Sequence, residues 1–178
     1  MLKCVITSYK EVEMLGEVFV KDGVNFIYGE SGVGKTVSTI KALNSSGIKP
    51  ILLDYDNNLS PEVNKCDYVH IDGNRVNKDE STLVEGSVVV IDTYYKMDKE
   101  LMEKLAQSNT VIIVGHNKNI ATKRDIPDAP DEFVNHCDSK LFLAREVSKK
   151  EGISYNLYVM KCRGYDGSMV ISNWMREE

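Results

Sequence analysis

Gly29-Glu30-Ser31-Gly32-Val33-Gly34-Lys35-Thr36 spells G-x-x-x-x-G-K-[ST], a complete phosphate loop. No other stretch constrains the fold as strongly. The glycines let consecutive backbone N–H groups turn inward into an anion nest. Lys35 then reaches the β- and γ-phosphates of a nucleotide, and the Thr36 hydroxyl is a ligand for Mg²⁺. The flanks agree with the motif. Residues 24–28 (Val-Asn-Phe-Ile-Tyr) predict a strand and residues 36–43 a helix, with Asn44-Ser45-Ser46-Gly47 as its stop. Strand, glycine loop and helix in that order aim a helix N-terminus at a phosphate.

Further apolar, β-branched runs lie at 51–53, 68–71, 88–91, 111–114, 141–143 and 155–160. Those at 88–91 and 111–114 are continuous rather than alternating, as in strands buried on both faces of a parallel sheet. Between them, residues 98–107 predict a helix with Asp98 as N-cap and Leu101, Met102 and Leu105 on one face. This alternation predicts an α/β three-layer domain with a mainly parallel central sheet. From Asp138 onward, strands joined by turns at Glu151-Gly152 and Tyr165-Asp166-Gly167 predict an antiparallel C-terminal edge. At 178 residues the chain suffices for one domain, expected to span 1–178.

The run Val88-Val89-Val90-Ile91 leads directly into Asp92, a Walker B pattern whose carboxylate holds Mg²⁺ beside Thr36. The next residue is Thr93, not an acid, so the water-activating carboxylate is expected elsewhere. Asp54 and Asp56, at the end of the 51–53 run, are the two choices, with Asp56 favoured. At the end of the 111–114 run, His116 or Asn117 is set to sense the γ-phosphate. Asn117-Lys118 is not the guanine-reading Asn-Lys-x-Asp, because Ile120 stands where the aspartate belongs. Asp92 likewise opens no Asp-x-x-Gly, which argues against a GTPase.

Taken together, the phosphate loop, Asp54-x-Asp56, Asp92 and the strand 111–114 with its polar pair resemble the RecA-like family of ATPases. The tail Leu157-Tyr158-Val159-Met160-Lys161-Cys162-Arg163-Gly164 resembles the Lys-x-Arg strand of DnaB-type ring helicases. The resemblance covers residues 23–174 and is to a core-only protein of the kind phages and plasmids encode. It implies ATP and Mg²⁺ as cofactors, Asp56 as catalytic acid (usually glutamate), and Lys161 and Arg163 as a pair reaching a neighbouring subunit's nucleotide. It further implies a homo-oligomer (hexameric ring or filament) acting on DNA, single-stranded, in recombination, replication or repair. The segment 118–131 matches the DNA-binding loop, with Lys118, Lys123 and Arg124 as its cations, and Tyr94-Tyr95-Lys96 the second loop facing the strand.

Composition bounds the alternatives. The net charge of −5 argues against a generally basic nucleic-acid coat protein and keeps open an ATP-dependent switch that recruits protein partners without handling DNA. Arg75, Arg124, Arg145, Arg163 and Arg176 do not cluster into the cationic lid a small-molecule kinase needs. The four cysteines form no C-x-x-C pair, so a zinc site is not expected, and free thiols fit a reducing cytoplasm, the host's if the protein is viral. No run approaches the length of a membrane span, and the polar N-terminus reads as no signal peptide.

Overall fold

The computed structural model describes residues 13–76, 85–93, 96–116, 136–163 and 169–176. The chain starts with a small antiparallel pair, β1 (Met14–Leu15) and β2 (Phe19–Val20). It continues through β3 (Val24–Gly29), α1 (Lys35–Ser45), β4 (Ile51–Asp54), β5 (Val69–Asp72), β6 (Val88–Asp92), α2 (Lys99–Ala106) and β7 (Thr110–His116). The end is formed by β8 (Ser139–Ser148), β9 (Gly152–Cys162) and β10 (Met169–Ile171). An eight-stranded sheet runs β10-β9-β8-β3-β7-β6-β4-β5. The six strands from β8 to β5 are parallel, and β9 and β10 are antiparallel. The expected antiparallel edge therefore starts at β9, one strand later than the sequence indicated. β8 pairs parallel with β3, Asn25 opposite Ser139 and Tyr28 opposite Phe142.

The continuous apolar runs are explained by the two faces of the sheet. In β7, Ile112 and Val114 pack on the α1 side with Ile27, Val37, Ile40 and Leu43. Val111 and Ile113 pack on the α2 side with Phe26, Tyr28, Leu101 and Leu105. Every second residue needs an apolar partner on either face, so no position is free to be polar. α2 begins where the sequence predicts: the Asp98 carboxylate accepts from the N–H groups of Glu100 (2.9 Å) and Leu101 (3.1 Å).

A polar pair, Asn25 and Ser139, is buried between β3 and β8. Asn25 accepts from the Val20 N–H (2.7 Å) and the Ser139 hydroxyl (2.6 Å) and donates to the carbonyls of Val20 (3.1 Å) and Val111 (3.3 Å). Its bonding capacity is met by β2, β7 and β8, which ties the phosphate-loop strand to both neighbours and to the hairpin. The β1–β2 hairpin carries no sequence signal strong enough to predict it. It is held by burial: Phe19 meets Trp174 edge to face at 6.2 Å, and both are shielded from solvent.

From β3 the chain moves to β4 and β5, returns through β6 to β7, and then places β8 on the other side of β3. This reversal opens a crevice at the carboxyl ends of the parallel strands, where open α/β sheets take their ligands.

Candidate functional site

Strand register gathers the site. Asp54 pairs with Asp92 between β4 and β6, and Gly29 pairs with His116 between β3 and β7. Asp92 pairs with Val114, so the two aspartates lie two residues below Gly29 and His116 at the same carboxyl edge of the sheet. Gly29 must be glycine because a Cβ there would collide with the Leu143 carbonyl oxygen of β8. Gly34 caps α1 at φ +93°, a left-handed conformation that L side chains rarely adopt. The helix receives no side-chain cap, which leaves its first N–H groups to face the loop.

Lys35 is buried, and its Nζ donates to the carbonyls of Gly29 (3.0 Å) and Glu30 (2.5 Å). Burial pushes its pKa down to about 8, against the opposing pull of Asp92 and Glu30. The Thr36 hydroxyl donates to Asp92 at 2.6 Å. These two oxygens are hard donors of the kind Mg²⁺ prefers, already side by side, so the pair fits the expected metal. The remaining loop positions, Glu30, Ser31, Gly32 and Val33, complete the turn, with Ser31 and Gly32 exposed and Val33 buried.

The two acidic choices both line the cavity and differ in their contacts. Asp54 is buried. Its Oδ1 accepts from the N–H groups of Asp56 (3.2 Å) and Asn57 (2.9 Å), and its Oδ2 meets His70 Nε2 at 3.0 Å. Asp54 thus braces the turn that carries Asp56. Asp56 itself faces His116 (Oδ2 to Nε2, 3.8 Å) and Lys96 (Oδ1 to Nζ, 2.8 Å). The Lys96 ammonium is the main cause holding the Asp56 carboxyl below its usual range. His116 is shifted down, first by burial and then by Lys35, so its imidazole is neutral at pH 7. Ligating atoms of Asp56, Asp92 and His116 all lie within 4.8 Å of one another. They line, with Lys35 and Thr36, a cavity of about 350 Å³. A larger cavity of about 720 Å³ lies at the opposite end of the sheet, among Met14, Leu15, Lys49, Val88 and Thr110. Its Glu13 and Lys21 pair with each other at 2.9 Å, and no reactive constellation converges there, so chemistry rather than size selects the smaller cavity.

Lys161 and Arg163 are not brought to this site. Lys161 pairs in register with Lys140, which lies opposite Phe26 of β3, and Arg163 binds Asp138 at 3.2 Å beside Val24. At ~3.3 Å per residue this is roughly 17 Å down the strand from Gly29 for Arg163, and two strands across. Neither can serve its own chain's phosphate loop. Asn117, Lys118, Lys123 and Arg124 lie outside the described residues, as do Tyr94 and Tyr95.

Sequence reasoning missed three groups. Lys96 falls in the expected strand-facing loop, yet it sits on Asp56. His70 belongs to an apolar run, yet it binds Asp54 from the exposed edge strand β5. Nothing in the sequence assigns Arg176, yet its Nη2 donates to the Val33 carbonyl of the phosphate loop at 2.8 Å. No local pattern marks any of them, because each bond joins distant parts of the chain.

No known protein-family profile matches the sequence, and no curated protein aligns with it. Solved structures do match. The RadB recombinase superposes with a TM-score of 0.60 at 14% identity, over 86% of this chain and 87% of that one. The flagellar accessory protein FlaH from Methanocaldococcus jannaschii superposes with a TM-score of 0.55 at 11% identity, over 86% of this chain and 85% of that one. These likenesses establish a RecA-like P-loop fold with a mainly parallel central sheet. Among the described residues, no helix is long and apolar enough to cross a membrane.

Proposed function

We propose that this RecA-like domain is a Mg²⁺-dependent ATPase that works on single-stranded DNA as a homo-oligomer. The observation that carries the hydrolytic part is the Thr36–Asp92 bond beside the phosphate loop, with Asp56 and His116 in the same cavity. In this reading the loop's N–H groups take the phosphate oxygens, and Lys35 exchanges the Gly29 and Glu30 carbonyls for the β- and γ-phosphates. Thr36 and Asp92 would hold the metal, which would supply positive charge against the negative charge that develops during phosphoryl transfer.

Asp56 orients the attacking water and accepts its proton. It is kept ionised by Lys96, as that role requires. Its side chain is one methylene shorter than the usual glutamate, and the Asp54-braced turn holds its backbone at the cavity. His116, as a neutral imidazole, senses the γ-phosphate, with Asn117 following it. Lys161 and Arg163 complete a neighbour's site, a role compatible with their distance from their own loop, once Arg163 leaves Asp138. The DNA reading rests on the likeness to a recombinase and on the cations Lys118, Lys123 and Arg124, which directly follow the His116 strand.

A second reading is favoured by one observation. Lys96 occupies the catalytic carboxylate of the free chain, as in a protein that binds ATP and turns it over feebly. The likeness to FlaH, a flagellar accessory protein, suits such a switch for protein partners.

ATP turnover with and without single-stranded DNA, with Lys35→Ala as the blank, tests the choice. Strong stimulation, with DNA binding that weakens as salt rises, is the expected result. ATP binding without stimulation rejects the DNA reading in favour of the switch, and no ATP binding rejects both.

A further inference from the structure

The C-terminal residues 169–176 do not trail away from the domain. Asn173 Oδ1 accepts from the Tyr155 N–H (3.0 Å), and the Trp174 N–H donates to the Tyr155 carbonyl (3.1 Å). Trp174 is 2% exposed against Phe19. On either side of it, Asn173 (φ +50°) and Met175 (φ +55°) are left-handed, a costly conformation for methionine that persists only where the surroundings impose it. The outcome of this forced path is the position of Arg176. Its guanidinium carbon lies 3.8 Å over the Tyr155 ring, and Nη2 donates to the Val33 carbonyl.

The Val33–Gly34 peptide is trans, so its C=O and N–H point in opposite directions within one rigid plane. Fixing the carbonyl on one side fixes the direction of the Gly34 N–H on the other. That N–H belongs to the nest of the phosphate loop. The guanidinium also fills the space beside Gly34: a Cβ there would lie 2.7 Å from Nη2. The buried Val33 side chain and the bond from the Ser38 N–H to the Gly34 carbonyl (2.9 Å) anchor the two residues, and Arg176 adds a direct hold on the carbonyl of the peptide between them.

We propose that Arg176 is a positioning residue for the phosphate loop: by holding the Val33 carbonyl it aims the Gly34 N–H at the bound phosphate, and nucleotide affinity thereby depends on the docked C-terminal segment. The inference rests on the reading of the loop as a nucleoside-triphosphate site. Arg176 acts on binding, which is shared by ground and transition states, so its loss raises KM and leaves kcat nearly unchanged.

The test uses the full chain. Affinity for a non-hydrolysable ATP analogue with Mg²⁺ is measured by calorimetry, alongside KM and kcat for ATP, in wild type, Arg176→Ala and Arg176→Lys. Loss of a charge-assisted bond predicts a Kd and KM about 10-fold higher in Arg176→Ala, with kcat within about twofold. Added guanidinium ion restores part of the affinity in Arg176→Ala only. Arg176→Lys keeps the charge and the fold but not the planar stack on Tyr155, and falls between the two. Unchanged Kd in both variants overturns the proposal. So does a weakening that guanidinium does not relieve and that tracks a fall in melting temperature, which marks a merely structural contact. A wild-type protein that binds no nucleotide overturns the underlying reading instead, and the inference with it.

Discussion

Asp54 offers the sharpest test of how the site is built. Its carboxylate is buried and makes three contacts: Asn57 N–H at 2.9 Å, Asp56 N–H at 3.2 Å and His70 Nε2 at 3.0 Å. A hydrogen bond from a charged acceptor contributes about 1.5–3 kcal/mol, with the 3.2 Å bond at or below the lower end. The His70 contact is half-exposed and adds at most about 1 kcal/mol. Against this, Asp54→Ala also removes the cost of burying the carboxylate, which offsets part of the loss. The balance is a destabilisation of about 3 kcal/mol for Asp54→Ala. For a chain of this size that is a fall in Tm of about 6–12 °C. Asp54→Asn keeps an acceptor for the turn and loses about 1 kcal/mol. Urea unfolding followed by circular dichroism measures both. If Asp54 braces Asp56 as argued, kcat in Asp54→Ala falls well below wild type at a temperature where the variant is fully folded. Nucleotide affinity stays within about twofold, since none of the three contacts touches the phosphate loop. An Asp54→Ala protein within about 0.5 kcal/mol of wild type, turning over ATP normally, refutes the argument.

Two further outcomes follow from the charges. Lys35 has its pKa lowered to about 8 by burial, against 10.5 in an open chain. Between those values the unfolded chain carries a proton that the native one lacks, so this group makes stability rise with pH across that window. Phosphate anions restore the proton, so on nucleotide binding at pH 8 Lys35 takes up about half a proton from the buffer. Calorimetry in two buffers of different ionisation enthalpy detects it, and a buffer-independent enthalpy contradicts it. Lys96→Met removes the main cause that lowers the Asp56 pKa, so the acid limb of the ATPase profile moves to higher pH. An unmoved limb means that Asp56 is not the group titrating in turnover.

The phosphate loop, the Thr36–Asp92 pair, the parallel core and the helix cap at Asp98 are all readable from the chain alone. These are local facts. Gly34 at φ +93° is required by the turn it makes with its own neighbours. The apolar runs 88–91 and 111–114 state their burial in consecutive residues, and Asp98 caps N–H groups two and three residues ahead. Even the Thr36–Asp92 bond, spanning 56 positions, was legible, because each half carries its own motif. The contacts of Asp54 and Asp56 were not. Asp54 ends β4, Asp56 lies two residues on, and both line the cavity; only the tertiary fold brings His70 to the first and Lys96 to the second.

Lys96, Trp174 and Arg176 belong to the same class. A lysine two residues before an N-cap, or an arginine three residues from the end, has no periodicity or spacing that declares a partner. Arg176 meets Val33 across 143 positions because β8, β9 and β10 stack in that order and Trp174 buries against Phe19. Backbone geometry over a few residues writes itself into sequence as pattern. A contact made by the path of the whole chain does not, since any exposed cation satisfies the same local rules until tertiary packing chooses one.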